Sequence, residues 1–363
     1  MNRLAVCAGA LLILFIEHFS NISGSTIKLF ILLFMMSRVL RSREQLVLFG
    51  LFFMINPNLD LSSGLLFEFI QIIYFPVAYY FFRDYYKFQM PILELSYLLS
   101  CVVLLSSLLF HLSFLEQNKL MESELNGIAQ LYNVASNKYF HFGFFDHPQT
   151  ASKIYSVATI VLLFRKRKNL FDYSLVLLGL YTLYVTYVRL GWLVVIVASI
   201  LYIRSFNKRY YRYILYALIS IVFIYFLPLI SNRLLNDSFE FSLSRVSSGR
   251  DLLLIASLDY FWDGTPLVML MGSGYTAVMG TIGYAHNRVV EILLFAGFLG
   301  LFWWSIVYRK IYSDIFWTGH MKYEKKSILF LIVLSLVFSH GFSPFLSLLV
   351  AMRLSWKDTL DEL

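Results

Sequence analysis

The sequence predicts an all-α polytopic membrane protein with about 12 transmembrane helices and two large loops on the outer face. Three observations carry the prediction. The chain is 59% apolar and 14% charged, more apolar sequence than one soluble core can enclose. Its apolar residues come in runs of roughly 11 to 23 residues separated by charged connections. Finally, residues 171–206 are flanked by Arg165-Lys166-Arg167-Lys168 and Asn207-Lys208-Arg209-Tyr210. As a single helix that stretch would be roughly 54 Å long against a bilayer core of about 30 Å, so it must fold back. Two spans of about 18 residues then put both basic clusters on the cytoplasmic side.

In order, spans are expected at 4–20, 27–40, 45–57, 64–82, 91–113, 149–164, 171–188, 190–206, 213–230, 286–308, 327–340 and 342–352. The whole chain, 1–363, reads as a single integral membrane domain. The first span carries Glu17 and His18 and no small-residue cleavage pattern, so it reads as retained. Roughly 21 of the 30 Lys and Arg fall in the cytoplasmic ends and loops, which places both termini inside. The net charge of +8 follows from that bias and does not argue for nucleic acid. Cys7 and Cys101 lie within spans and outside any Cys-x-x-Cys or Cys/His spacing, so neither a disulfide framework nor a zinc site is expected. No long-period repeat is visible, which disfavours a transporter built from two related halves.

The outer loops, about 114–148 and 231–285, are far longer than the other outer connections, and long loops in compact proteins are usually functional. Between them stands Arg189, at the outer turn of the 171–206 hairpin, where a charge is costly and reads as functional or snorkelling. In the second loop Ser248 and Asp251 have the spacing of a capping box and predict a helix start. Arg250 in its first turn, beside free N–H groups, suits a phosphate; the plainer reading is a solvated residue on an interfacial helix. Further on, Gly272 and Gly274 form a Gly-x-Gly that any turn could require, followed by Tyr275. His286-Asn287 then opens a span, and Asn287 and Glu291 share a helix face. The plainer reading of His286 is a satisfied interface residue. His147, at the end of the first loop, is a secondary candidate. Glu17, His18, Glu68, Glu94 and His340 are scattered and form no spaced cluster.

Taken in order, Arg189, Gly249-Arg250, Gly272-Ser273-Gly274 and His286-Asn287, followed by Glu291 and Gly297-Phe298-Leu299-Gly300, resemble the O-antigen polymerase and O-antigen ligase superfamily of bacterial inner-membrane proteins. Gly143–Ala151 is similar to that family's Gly-Phe-Phe-x-His-Pro-Asn stretch, with Gln149 in place of asparagine. The hairpin reads Tyr187-Val188-Arg189-Leu190-Gly191 and lacks the Ser-Arg-Gly usual in ligases, which favours polymerase.

The resemblance implies periplasmic outer loops and a glycosyltransferase drawing on an undecaprenyl pyrophosphate-linked oligosaccharide. It implies Arg189 and Arg250 on the donor pyrophosphate and His286 as base, with His147, Gly272, Gly274, Tyr275, Asn287 and Glu291 contacting substrate. Neither a metal nor a cofactor is expected. Expected partners are the lipid-linked oligosaccharide, membrane lipid and a chain-length regulator protein. The alternatives are an O-antigen ligase transferring polymer to lipid A-core, a lipid-linked oligosaccharide flippase, and a structural subunit. A peptidoglycan-type polymerase would instead rely on an outer-loop aspartate such as Asp251 or Asp263.

Overall fold

The structure is a computed structural model and describes residues 24–39, 63–84, 89–117, 148–165, 168–186, 188–204, 213, 216, 220, 250–283, 285, 287–317, 323–338 and 343–355. Among these it is all-helical, with no strand. The helices are α1 (Gly24–Val39), α2 (Ser63–Asp84), α3 (Gln89–Gln117), α4 (Pro148–Leu163), α5 (Leu170–Thr186), α6 (Arg189–Arg204), α7 (Arg250–Trp262), α8 (Pro266–Met271), α9 (Tyr275–Thr281), α10 (Arg288–Trp317), α11 (Tyr323–Phe338) and α12 (Pro344–Leu354). Two of them, α3 over Ile92–Leu109 and α10 over Arg288–Ile315, are long and apolar enough to cross a membrane by length and composition. The expected spans 4–20 and 45–57 lie outside the described residues, as does nearly all of 213–230.

Helix α4 is the centre of the bundle. It opens with Pro148, a residue suited to the first helical position, and packs on α3, α5, α6, α11 and α12. Every residue from Ala151 to Leu162 is buried, hydroxyls included. Ser156 and Thr159 donate to the carbonyls one turn back, Ser152 O at 2.6 Å and Tyr155 O at 2.7 Å, which meets their need for partners away from water. Glycines on the neighbouring helices leave room for them. A Cβ on Gly179 of α5 would come within 2.2 Å of Thr159 Oγ1, and one on Gly191 of α6 within 2.1 Å of Ser152 Oγ.

The hairpin around Arg189 is present, with α5 ending at Thr186 and α6 starting at Arg189. Its two helices barely touch each other; both lean on α4. The start of α5 is held by a reciprocal cap, in which Asn169 Oδ1 accepts from Asp172 N and Asp172 Oδ2 accepts from Asn169 N, each at 2.9 Å. Asp172 is wholly buried. It also accepts from Tyr97 Oη at 2.6 Å and from Arg165 Nη1 at 2.6 and 2.8 Å, while the Arg165 guanidinium lies 3.9 Å over the Tyr97 ring.

Further ion pairs lie at that same end of the bundle. Arg353 at the end of α12 grips Glu324 at the start of α11 through Nε and Nη2, at 2.5 and 2.6 Å, and donates from Nη1 to Ser96 at 3.2 Å. Arg83, near the end of α2, pairs with Asp314 of α10. These ends are the ones flanked by the basic connections. The first turns of α4 and α6 lie at the other end, since Gly191 meets Ser152 and Ser156.

The expected span 286–308 differs from what is observed. Helix α10 runs on to Trp317 and is broken at Gly297, whose φ of 63° and ψ of −164° are not helical. The break comes from a close backbone approach. A Cβ on Gly297 would stand 2.4 Å from Leu270 O, and one on Gly272 2.3 Å from Phe295 O, while Ser273 N donates to Leu294 O at 2.9 Å. The limb before the break shares a small core, Phe261, Val278, Ala285, Val290, Leu293, Leu294 and Phe295, with α7 and α9. The limb after it joins the main bundle through Trp303, Trp304, Val307, Tyr308 and Ile311. The charges at Arg309, Lys310 and Asp314 mark a sequence end for the span, yet the helix passes through them to Trp317, its second limb beginning only at Phe298.

Candidate functional site

Arg189 and Arg250, singled out from the sequence, are the first residues of α6 and α7, and Arg288, which was not, is the first residue of α10. In each case a cation has been added to the end of a helix that already carries partial positive charge from N–H groups without intrahelical acceptors. Such an arrangement is unfavourable unless an anion answers it. For Arg288 the answer is visible: Nη1 meets Glu291 Oε2 at 3.0 Å, with both side chains no more than 2% exposed.

Asn287 builds this corner. Its Oδ1 accepts from Val289 N at 3.1 Å and Val290 N at 3.2 Å, and its carbonyl accepts from Glu291 N at 2.9 Å. It is thus the N-cap of α10, with a positioning role and its amide oxygen already committed. The Gly297 break separates this corner from the second limb of α10. Val289 and Ile292, flanking the Arg288–Glu291 pair, pack into the main core.

Gly272 and Gly274 take positive φ values of 84° and 79° on either side of Ser273. They form the C-cap of α8 and the N-cap of α9. Gly272 is required by its contact with α10, a packing role beside the substrate-binding one expected of it. Tyr275 opens α9. The predicted helix start near Ser248 falls at Arg250. His286 and His147 lie outside the described residues, and so do the side chains of Arg189, Arg250 and Tyr275. Cys101 is a buried, free packing residue.

The structure adds residues that the sequence reading passed over. Lys153 is the single charge in the expected span 149–164 and is 4% exposed, at the first turns of α4 with Gln149 and Ser152, all buried. Its signal was legible, since a lone lysine in a span is costly. Arg288 could have been found from its i, i+3 spacing to Glu291.

At the charged end, Lys168 bonds the Tyr202 hydroxyl and lies 3.8 Å over its ring. Burial pushes its ammonium down to about 8 from the usual 10.5, with Asp172 opposing the shift. No protein-family model, curated protein or solved structure matches the chain.

Proposed function

We propose that the chain is an O-antigen or related surface-polysaccharide polymerase, a multi-pass protein of the bacterial inner membrane with both termini cytoplasmic. It transfers glycan from an undecaprenyl pyrophosphate donor to a sugar hydroxyl of a lipid-linked repeat unit on the periplasmic side. The observation that carries the reading is the ordered set of Arg189, Arg250 and His286-Asn287, two arginines each opening a helix and the last pair standing immediately before a third.

Membrane residence is supported by an inverted surface. Helix α3 buries Ser96, Ser100 and Ser107 and exposes Leu98, Val102, Leu105 and Leu109 along one stripe, an unfavourable arrangement in water and a natural one in lipid.

In this mechanism the acceptor hydroxyl loses its proton to His286 as its oxygen attacks the anomeric carbon. The bond from that carbon to the pyrophosphate oxygen breaks, and the electron pair leaves with the pyrophosphate. Arg189 and Arg250 hold the leaving group through paired, permanently charged donors, assisted by the helix N–H groups. Charge developing on the phosphate oxygens therefore meets donors already in place. The arginines take the part that a divalent ion plays in other transferases, and the reaction is metal-independent.

Deletion of the gene, followed by gel analysis of surface polysaccharide, tests the reading. A single repeat unit on lipid A-core is the expected result. Long polymer stranded on carrier lipid would indicate a ligase, and absence of any exported unit a flippase. Arg189→Lys and Arg250→Lys, present at normal levels, should each lose most polymer; full synthesis by both would refute the pyrophosphate assignment.

A further inference from the structure

Helices α7 and α8 lie within the expected outer loop 231–285, and Leu252–Trp262 of α7 is apolar but too short to cross a membrane. One side of α7 is accounted for. Leu254, Leu258 and Phe261 pack into the small outer core, and the Ser257 hydroxyl donates to Leu253 O at 2.6 Å. Round the helix from these, Ile255 and Trp262 stand two turns apart on one stripe, each more than half exposed, as is Leu267 of α8. The apolar surface does not end there. The Trp262 ring lies 6.2 Å from that of Phe298, the first residue of the second limb of α10, and from Phe298 an exposed stripe continues one turn along that limb to Phe302. One apolar band thus joins two short helices to a helix long and apolar enough to cross a membrane. Sixteen residues beyond Phe298 on the same limb, Asp314 pairs with Arg83 at the end of the bundle that carries the basic connections. That is about 24 Å of helix against a hydrocarbon core of about 30 Å. Phe298 and Trp262 therefore stand near the opposite boundary, the depth at which tryptophan collects.

We infer that α7 and α8 form an in-plane membrane element seated in the outer leaflet, with Ile255, Trp262 and Leu267 among lipid acyl chains beside Phe302. A contiguous apolar band is costly in water and marks a contact surface. The occupant is bilayer lipid, because the band is continuous through the Trp262–Phe298 contact with the exposed stripe of the crossing limb. Asp259 and Asp263 are exposed on the edge of α7 next to this stripe. A second copy docked through the band would bury or oppose these carboxylates, whereas a helix lying in the interface turns that edge to water. The inference rests on the proposed membrane residence and goes beyond it by seating part of the long outer loop in the bilayer surface.

The test is spin labelling of the full-length protein, carrying Cys7→Ser and Cys101→Ala, in phosphatidylcholine vesicles. Labels are placed singly through Ile255→Cys, Leu267→Cys, Asp259→Cys and Phe302→Cys. Collision with oxygen should exceed collision with a water-soluble nickel chelate at 255 and 267, as at 302, and the order should reverse at 259. Labels at 255 and 267 that favour the chelate, or that are shielded from both probes by a protein contact, overturn the inference. With the 302 label still in lipid, that result leaves the membrane reading standing. Chelate access at 302 as well overturns both. A second measurement uses the natural cysteines: phosphatidylcholine brominated on its acyl chains should quench a larger share of the fluorescence of wild type than of Trp262→Phe. Equal shares overturn the seating of α7.

Discussion

Replacing Gly297 by alanine should damage this protein severely, as should the same change at Gly272 on the other side of the contact. The φ of 63° and ψ of −164° lie in a region open essentially to glycine, and forcing another residue there costs about 1–3 kcal/mol. The new Cβ would also stand 2.4 Å from Leu270 O and 2.6 Å from Gly272 N. Both are backbone atoms that cannot rotate aside, so overpacking adds about 1–3 kcal/mol more. A combined loss of about 2–6 kcal/mol is a large share of a typical folding stability of 5–15 kcal/mol. Gly280→Ala is the matched control. Nothing lies within 4 Å of its Cβ position, and alanine in a helix should stabilise by about 0.5–1 kcal/mol. Inactivation half-life of the purified full-length protein at a fixed temperature reports the difference without requiring reversible unfolding. Because the break separates the Arg288–Glu291 corner from the second limb, Gly297→Ala should also reduce polymer yield at equal protein level. Equal half-lives for the two variants would refute the account of the break.

Two further outcomes follow from charged groups. Glu291→Gln removes a carboxylate from the buried Arg288 guanidinium and should cost about 3–5 kcal/mol, whereas the double change Arg288→Met with Glu291→Leu should stay within about 1–2 kcal/mol of wild type; a double variant as unstable as the single one would show that the pair is not the unit. Lys168 keeps its proton to a lower pH in the folded than in the unfolded protein, releasing it near 8 where the free side chain releases it near 10.5. Stability should therefore rise between pH 8 and 10.5 relative to a Lys168→Met variant, and competitive acylation should titrate Lys168 with a midpoint near 8. A midpoint at the ordinary lysine value would contradict its burial beside Tyr202.

Much of the helical layout was legible because hydropathy and charge are local properties. The expected spans at 64–82, 149–164, 171–188 and 190–206 match α2, α4, α5 and α6 to within about two residues. The hairpin at Arg189 was legible too, since chain length against bilayer thickness forces a turn there. The helix start at Arg250 came from capping chemistry. What escaped was the broken α10. Its sequence from Ile292 to Tyr308 is almost wholly apolar on both sides of the break, so periodicity cannot separate two limbs from one span, and Gly297 acquires meaning only when Gly272 is pressed against it.

The polar residues divide in the same way. Arg189, Arg250 and His286 draw attention in the sequence because charge and imidazole stand out against apolar surroundings. Ser152 does not, being one small hydroxyl among several, and its place in the packing depends on which neighbour lacks a side chain opposite it. By itself the sequence determined that the chain is helical, where most helices start and stop, and which end carries the basic connections, because these rest on the preferences of neighbouring residues. Tertiary structure alone decided that α4 is central, that α5 and α6 lean on it, and that the Arg288–Glu291 pair is sealed from solvent. Those facts arise from contacts between residues far apart in the chain, where glycines set how closely two backbones can approach.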